Sequence, residues 1–442
     1  MRVLAGIWWA RWIVAGSTAI IALAIAYWSS QSKPNRAAQR FEALSLPLHR
    51  PETGDREQLP AMARANNEFA VSLYHQLRQK REGNLLISPA SLWTGLAMLR
   101  MGAKGETAWQ IRNAIHLPEE SRHWKLGVAA LIQDLNFDGE QRLSQVRLAN
   151  AVWTQVGYPI EESYTRTLKS IFAAQARNVD FVGQPDDACK TINDWTSSRI
   201  NGKISRILQP EELTDYTKFV WTTSLYVRGS WVTPFRAELT KPVPFQIAAN
   251  KTVNVPMMRG GDLSHGYHRT EALRVLEAPL GIYELAFDVF LPENPDGLAD
   301  LEESLNIASL GDWLAHFRNY GEMEVWLPKL RLESQARLDQ TLARLGMPAA
   351  FDPKTADFSV VSSQKPALFV SQIKQMVYLD IEEQGIEAAA AVGGVSADSF
   401  EDEPPVFHAD HPFLFVIRNL KSGCILFIGR VIDPLNPAIT FF

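Results

Sequence analysis

Only two cysteines, Cys189 and Cys424, occur in 442 residues, far apart and without a CxxC spacing. That excludes a zinc ribbon, a thiol redox motif and a disulfide-stapled scaffold, and two isolated thiols are the reading favoured over one long-range disulfide. Positive charge is not in excess either: 44 Lys and Arg against 49 Asp and Glu give a net charge of −5. With no nucleic-acid motif present, a nucleic-acid partner is not expected. Gly-x-Ser-x-Gly, HExxH and a Gly-rich phosphate loop are all missing, so no enzymatic constellation emerges. The pairs His265/His268 and His408/His411 have only Asp410 as a neighbouring carboxylate. They read as hydrogen-bonded or solvent-facing histidines, with no metal and no cofactor expected. Internal repeats are absent, and the one low-complexity run is four alanines at 388–391.

What is present begins with a long apolar stretch. Residues 12–28, WIVAGSTAIIALAIAYW, carry no charge, follow Arg2 and Arg11, and are flanked by Trp8, Trp9, Tyr27 and Trp28. This length reaches the lower limit for a membrane-spanning helix and exceeds a usual signal-peptide core. Residues 1–28 are therefore expected to be an uncleaved anchor, facing the folded part away from the cytoplasm. A cleaved signal, giving a secreted protein, is the alternative, because Ala22, Ala24 and Ala26 offer small-residue cleavage sites. Residues 29–60, polar and with prolines at 34, 47, 51 and 60, read as a linker.

Beyond it, 46% hydrophobic residues with 21% charged residues can support one large core. Helical spacing runs through 61–81, from Ser-Pro at 88–89 onward, and through 187–200, where it ends at Asn201-Gly202. Aromatic and β-branched residues then dominate: 146–156, 218–235, 251–258, 271–280, 283–292, 323–334, 366–382, 412–419 and 424–432 read as strands. Strands outweigh helices, and the helices gather early, which predicts an α+β domain over 61–437 with a tail at 438–442. Asn250-Lys251-Thr252 fits a glycosylation acceptor in a secretory context.

Taken in order, many short motifs over residues 65–435 resemble the serpin superfamily. They include NLLISPAS at 84–91, GAKG at 102–105, INDW at 192–195, NGKI at 201–204 and YVRGSWVTPF at 226–235. VPMM at 255–258, LPK at 327–329, ADFS at 356–359, FHADHPFLF at 407–415 and GCILFIGRV at 423–431 continue the series. The resemblance implies a large central mixed β-sheet with smaller sheets and an exposed reactive-centre loop at 382–405. It implies no catalytic residue. It also implies a buried polar shutter made of Ser88, Ser91, Asn193 and Gln375, where Gln375 and Thr223 stand in place of a family histidine and asparagine. Trp231 would be the breach tryptophan at the top of the sheet.

In that family a protease attacks the loop, an acyl-enzyme forms, and the cut loop inserts as a new strand of the central sheet. Residues 382–405 read EEQGIEAAAAVGGVSADSFEDEPP. The resemblance places the hinge at Glu383, Gly385, Ile386, Glu387, Ala388, Ala389, Ala390 and Ala391. With a period of two, Ile386, Ala388, Ala390 and Val392 share one apolar face. Small side chains suit a strand that must slip between two others, and a charge there would be buried unpaired at a cost of several kcal/mol. This favours an inhibitory member. The bulk of Ile386 at the first inserting position is expected to slow insertion, and Gly393 and Gly394 each weaken a strand by roughly 0.5–1 kcal/mol. Family spacing from Glu383 puts the scissile bond at Ser399–Phe400, give or take one residue.

With no Lys or Arg in 382–405, the expected partner is a serine protease with a small or chymotrypsin-like primary pocket, a cysteine protease being the alternative class. The inhibitor is expected to be monomeric. A non-inhibitory carrier or chaperone-like member is the second reading, resting on Ile386 and the two glycines.

Overall fold

The computed structural model describes residues 57–79, 82–118, 124–137, 143–199, 201–202, 206–260, 266–319, 323–364, 367–387 and 405–441. The expected anchor at 12–28, almost all of the linker, Ala388–Ala391, the bait bond Ser399–Phe400 and His265 lie outside them.

Elements follow in chain order: α1 Leu59–Arg78, β1 Leu85–Ile87, α2 Pro89–Gly102, α3 Gly105–Ala114, α4 Trp124–Leu135, β2 Ser144–Gln155, α5 Glu162–Phe172, β3 Gln175–Val179 and α6 Pro185–Arg199. The strand-rich part begins with β4 Phe219–Ser230, β5 Lys241–Ala248, β6 Lys251–Gly260, β7 Gly266–Arg269, β8 Leu273–Leu280 and β9 Leu285–Pro292. After α7 Leu298–Ser304 and α8 Ile307–Ala315 come β10 Arg318–Asn319, β11 Glu324–Pro328, β12 Leu330–Arg337 and α9 Asp339–Arg344. The chain closes with β13 Gln372–Glu382, β14 Gly385–Ile386, β15 Val406–His408, β16 Phe413–Asn419, β17 Ile425–Val431 and β18 Ala438–Phe441. The longer helices precede residue 200, as expected from the sequence, and α1 starts two residues ahead of the expected 61.

Three sheets form. The central one has the order β18-β12-β13-β14-β4-β2-β3, a second runs β1-β17-β16-β9-β8-β7-β10, and a small third runs β15-β11-β6-β5. Strands β9, β16 and β17 are largely apolar, with Asp288, Arg418, Asn419 and Arg430 as exceptions, and are wholly or almost wholly buried. β12 alternates buried with exposed or half-buried residues, the period-two signature of a half-covered sheet.

Helix α2 positions the site. Ser88 caps it by accepting the Ser91 N–H, Pro89 pre-sets its first turn, and nearly all its residues are buried because it packs between β4 and β17. A Cβ on Gly95 would fall 1.6 Å from the Trp221 ring, so only glycine lets α2 come this close to β4.

The expected tail at 438–442 is corrected: residues 438–441 are β18, which pairs parallel with β12 from Glu333–Ala438 to Ala336–Phe441. Ile439 is buried there, and the strand occupies a β12 edge that would otherwise leave backbone groups unpaired.

Candidate functional site

Strands β13 and β4 lie side by side without a continuous ladder. At one end they pair in parallel, Gln372–Gln375 against Val220–Thr223. Beyond that, residues 376–380 and 224–228 form no ladder pairs with each other, and Tyr226, Met376 and Tyr378 pack together on one face of this stretch. At the other end β14 is wedged between them, antiparallel to both: Ile386 stands between Ile381 and Gly229, and Gly385 between Glu382 and Ser230.

The closed end is stitched to α2 by neutral polar side chains. Gln375, almost fully buried, accepts the Ser88 N–H through Oε1 at 3.1 Å. Its Nε2 donates to the Ser88 carbonyl at 2.7 Å and to Ser91 Oγ at 2.8 Å. From β4, Thr223 Oγ1 donates to the Ser91 carbonyl at 3.0 Å. Gln375 and Thr223 are register partners, so both parting strands are fastened to one helix turn at the same level. Thr94 and Asn150 extend the network, Asn150 Nδ2 donating to Thr94 Oγ1 at 3.3 Å. None of these side chains titrates near neutral pH, so the fastening is insensitive to pH.

Asn193, expected here, is placed elsewhere. On α6 its amide accepts the Ile207 and Leu208 N–H groups at 2.9 and 3.0 Å and donates to the Leu208 carbonyl at 2.8 Å. It holds the chain that leaves α6, and the network asparagine is Asn150 on β2. Sequence spacing could not separate them, because Asn150 lies within the central sheet on β2 and Asn193 on the helix packed against it.

At the open end Trp231 follows β4, buried edge-on between Phe235 and Phe287. Its Nε1 donates to the Glu382 carbonyl at 2.8 Å, and its backbone N–H to the Gln384 carbonyl at 3.0 Å. Glu383 takes Lys329 Nζ at 2.9 Å and Thr240 Oγ1 at 2.8 Å. Burial pushes the Glu383 carboxyl up, but these donors and a backbone N–H outweigh it and hold the group below the ordinary carboxylate range.

The hinge residues then enter the sheet. Gly385 has φ +136°, and a Cβ on it would stand 2.0 Å from the Gly229 carbonyl oxygen. Ile386 is 1% exposed. Its bulk, expected to slow insertion, is buried between Ile381 and Gly229 in the uncut chain. Glu387 follows in a left-handed conformation, φ +49°. Burial and the Glu387 charge push the Tyr226 phenol up, opposed by the hydrogen bond it accepts from Asn201 Nδ2 at 3.2 Å.

A central sheet parted over 376–380 and 224–228, fastened at one end and wedged at the other by β14, matches one family. The model described as Serpin (serine protease inhibitor) covers residues 64–434. The chain is a serpin. It is 34% identical to the leukocyte elastase inhibitor of Bos taurus over 385 residues, 86% of this chain and 100% of that one. It is 30% identical to a serpin-like protein of Methanosarcina acetivorans, covering 84% of this chain and 86% of the relative. Among solved structures, Serpin48 of Tenebrio molitor superposes with a TM-score of 0.75 at 28% identity, covering 86% of this serpin and 99% of that chain.

Other residues singled out in the sequence have structural posts. His411 Nδ1 meets Asp410 at 2.7 Å and its Nε2 meets the Pro292 carbonyl at 2.8 Å, while His408 stacks on Trp326. His268 lies against the His316 ring. Among the described residues no group of three or more His, Cys, Asp or Glu is placed to hold a metal. Cys189 and Cys424 are buried free thiols. Asn250 is exposed in the turn between β5 and β6. Among the described residues no helix is long and apolar enough to cross a membrane. The contributions of Thr94, Asn150 and Tyr226 gave no signal in the sequence, since a lone polar residue in a strand or helix reads the same whether it packs or bridges.

Proposed function

We propose that this serpin inhibits serine-type endopeptidases as a suicide substrate. The observation that carries the reading is the seat of Ile386 between β13 and β4. Continuing its register places Glu387 beside Asp380 and Arg228, Ala388 beside Leu379 and Val227, and Ala390 beside Val377 and Leu225. All four of these facing apolar residues are buried, so the apolar face of the loop meets the core. Residues 387–391 fill the opening without breaking a ladder pair. Val392 arrives at Gln375 and Thr223, and from there the Gln372–Gln375 pairing with β4 and the Gln375 bonds to α2 must yield.

The protease serine attacks the carbonyl carbon of the bait residue, Ser399 in this reading. The Ser399–Phe400 peptide bond breaks, the new amine takes the proton, and an ester links loop and protease. Insertion then carries the ester away from the loop's original site faster than water cleaves it. Backbone groups newly paired on both sides of the inserted strand supply the driving force. The relative named as an elastase inhibitor agrees with a small primary pocket and the lack of Lys and Arg in 382–405. The apolar stretch at 12–28 supports tethering to a membrane outside the cytoplasm, which fractionation of cells expressing the full chain tests.

Incubation with pancreatic elastase and chymotrypsin should give an adduct that survives boiling in detergent, with release of a C-terminal fragment starting at Phe400 or one residue either side. Complete cleavage within 382–405 without an adduct would favour the non-inhibitory reading.

A further inference from the structure

Away from the central sheet, a cleft of about 420 Å³ opens where the ends of β8 and β9 meet α7 and α8. Gly297, Asp300, Leu301 and Ser304 line it at i, i+3, i+4 and i+7, so one stripe of α7 and its N-cap forms a wall. Leu273, Pro292 and Leu301, all buried, give it an apolar interior together with the half-buried Trp313, whose ring packs on Phe290 at 5.5 Å. Most polar lining groups are already engaged. Thr270 Oγ1 accepts the Ala272 and Leu273 N–H groups at 3.3 and 3.1 Å, Asn294 Oδ1 accepts that of Asp296 at 3.1 Å, and Ser304 Oγ donates to the Leu301 carbonyl at 2.8 Å. Glu293 is held by Arg269 at 2.7 Å and Arg274 at 3.5 Å. That leaves Glu271 and Asp300. Both are exposed, and among the described residues neither makes a hydrogen bond or ion pair. The lining as a whole holds three carboxylates and no Lys, Arg or His. A carboxylate or phosphate ligand would be repelled there, and a neutral one would leave the two charges unmatched. An ammonium group answers both, while an apolar body attached to it covers Leu273, Leu301 and the Trp313 ring, whose face also attracts a cation. The volume falls within the range of roughly 300–1,000 Å³ usual for small-molecule sites.

We infer that this cleft binds a small organic amine, its aromatic or alicyclic body seated on Leu273, Leu301 and Trp313 and its ammonium facing Glu271 and Asp300. Every lining residue belongs to β8, β9, α7, α8 or the turns beside them, so this site and the inhibitory reading stand or fall separately. Tryptamine is the probe, titrated calorimetrically into the full-length chain. Indole-3-ethanol, with the same ring and no charge, and indole-3-acetate, with the opposite charge, are titrated beside it. One tryptamine should bind per chain, about tenfold tighter than indole-3-ethanol, as a hydrogen-bonded charge is worth, and added salt should weaken it. Indole-3-acetate should not bind. Glu271→Gln and Asp300→Asn should each weaken tryptamine severalfold and leave indole-3-ethanol unchanged, a split that a merely structural role would not give. Both positions are exposed, so neither substitution disturbs the core. Equal affinities for tryptamine and indole-3-ethanol, tryptamine binding undiminished when both carboxylates are replaced, or no binding at millimolar tryptamine overturns the assignment. The ligand series on the wild-type chain judges it without any variant.

Discussion

A methyl group on residue 385 has nowhere to go. Its carbon would sit 2.0 Å from a backbone oxygen of β4, and φ +136° lies outside what a side-chain-bearing residue tolerates. Gly385→Ala should therefore unseat β14, and hydrogen exchange at residues 384–387 should rise toward that of an open loop while the core strands stay protected. At the same scale, Asp288 lies fully buried on β9, opposite Glu277, with Arg418 bonded to both. Burial pushes its carboxyl up to about 6, the Arg418 charge opposing that and the Glu277 charge adding to it. The unfolded chain releases this proton near pH 4. Stability from this group is thus complete below about 4 and falls as pH rises through about 6, a difference of roughly 3 kcal/mol. Urea unfolding between pH 4 and 7 should show a decline in wild type, relative to Asp288→Asn, over that window.

Inhibition as proposed turns on the strand that residues 386–392 would add to the central sheet. Period-two alternation puts Ile386, Ala388, Ala390 and Val392 on one face; of these the structure describes Ile386, which is buried, and the register extended from it would direct the others at buried residues. Ala390→Glu should turn the inhibitor into a substrate, because the carboxylate would have to enter between Val377 and Leu225 at a cost of several kcal/mol. Ala389→Ser on the other face should leave the adduct yield near that of wild type. Gel densitometry of adduct against cleaved chain distinguishes the two. The seat of β14 itself was not legible, since it depends on Gly229, which lies more than 150 residues away in sequence. Ile386 is buried in that seat, and its expected effect is on the rate of insertion.

Across the whole molecule, the α+β class, the large sheet and the early helices could be read from patterning and from ordered motifs such as NLLISPAS and FHADHPFLF. Motif order failed where it had to assign contacts. Asn193 was drawn into the shutter because its segment resembles the right one, whereas its bonds go to residues 207 and 208. AITF at 438–441 is too short for a strand signal on its own and becomes one only beside β12. The central sheet as it stands is fastened at Gln375 and Thr223, open over 376–380, and wedged by Ile386. Such a sheet should gain stability when a cut loop fills it. Thermal unfolding of the chain before and after a single cleavage within 388–404 tests this most directly. The cleaved form should melt well above the intact one; a cleaved form that melts at the same temperature or lower rules out insertion of the loop into this sheet.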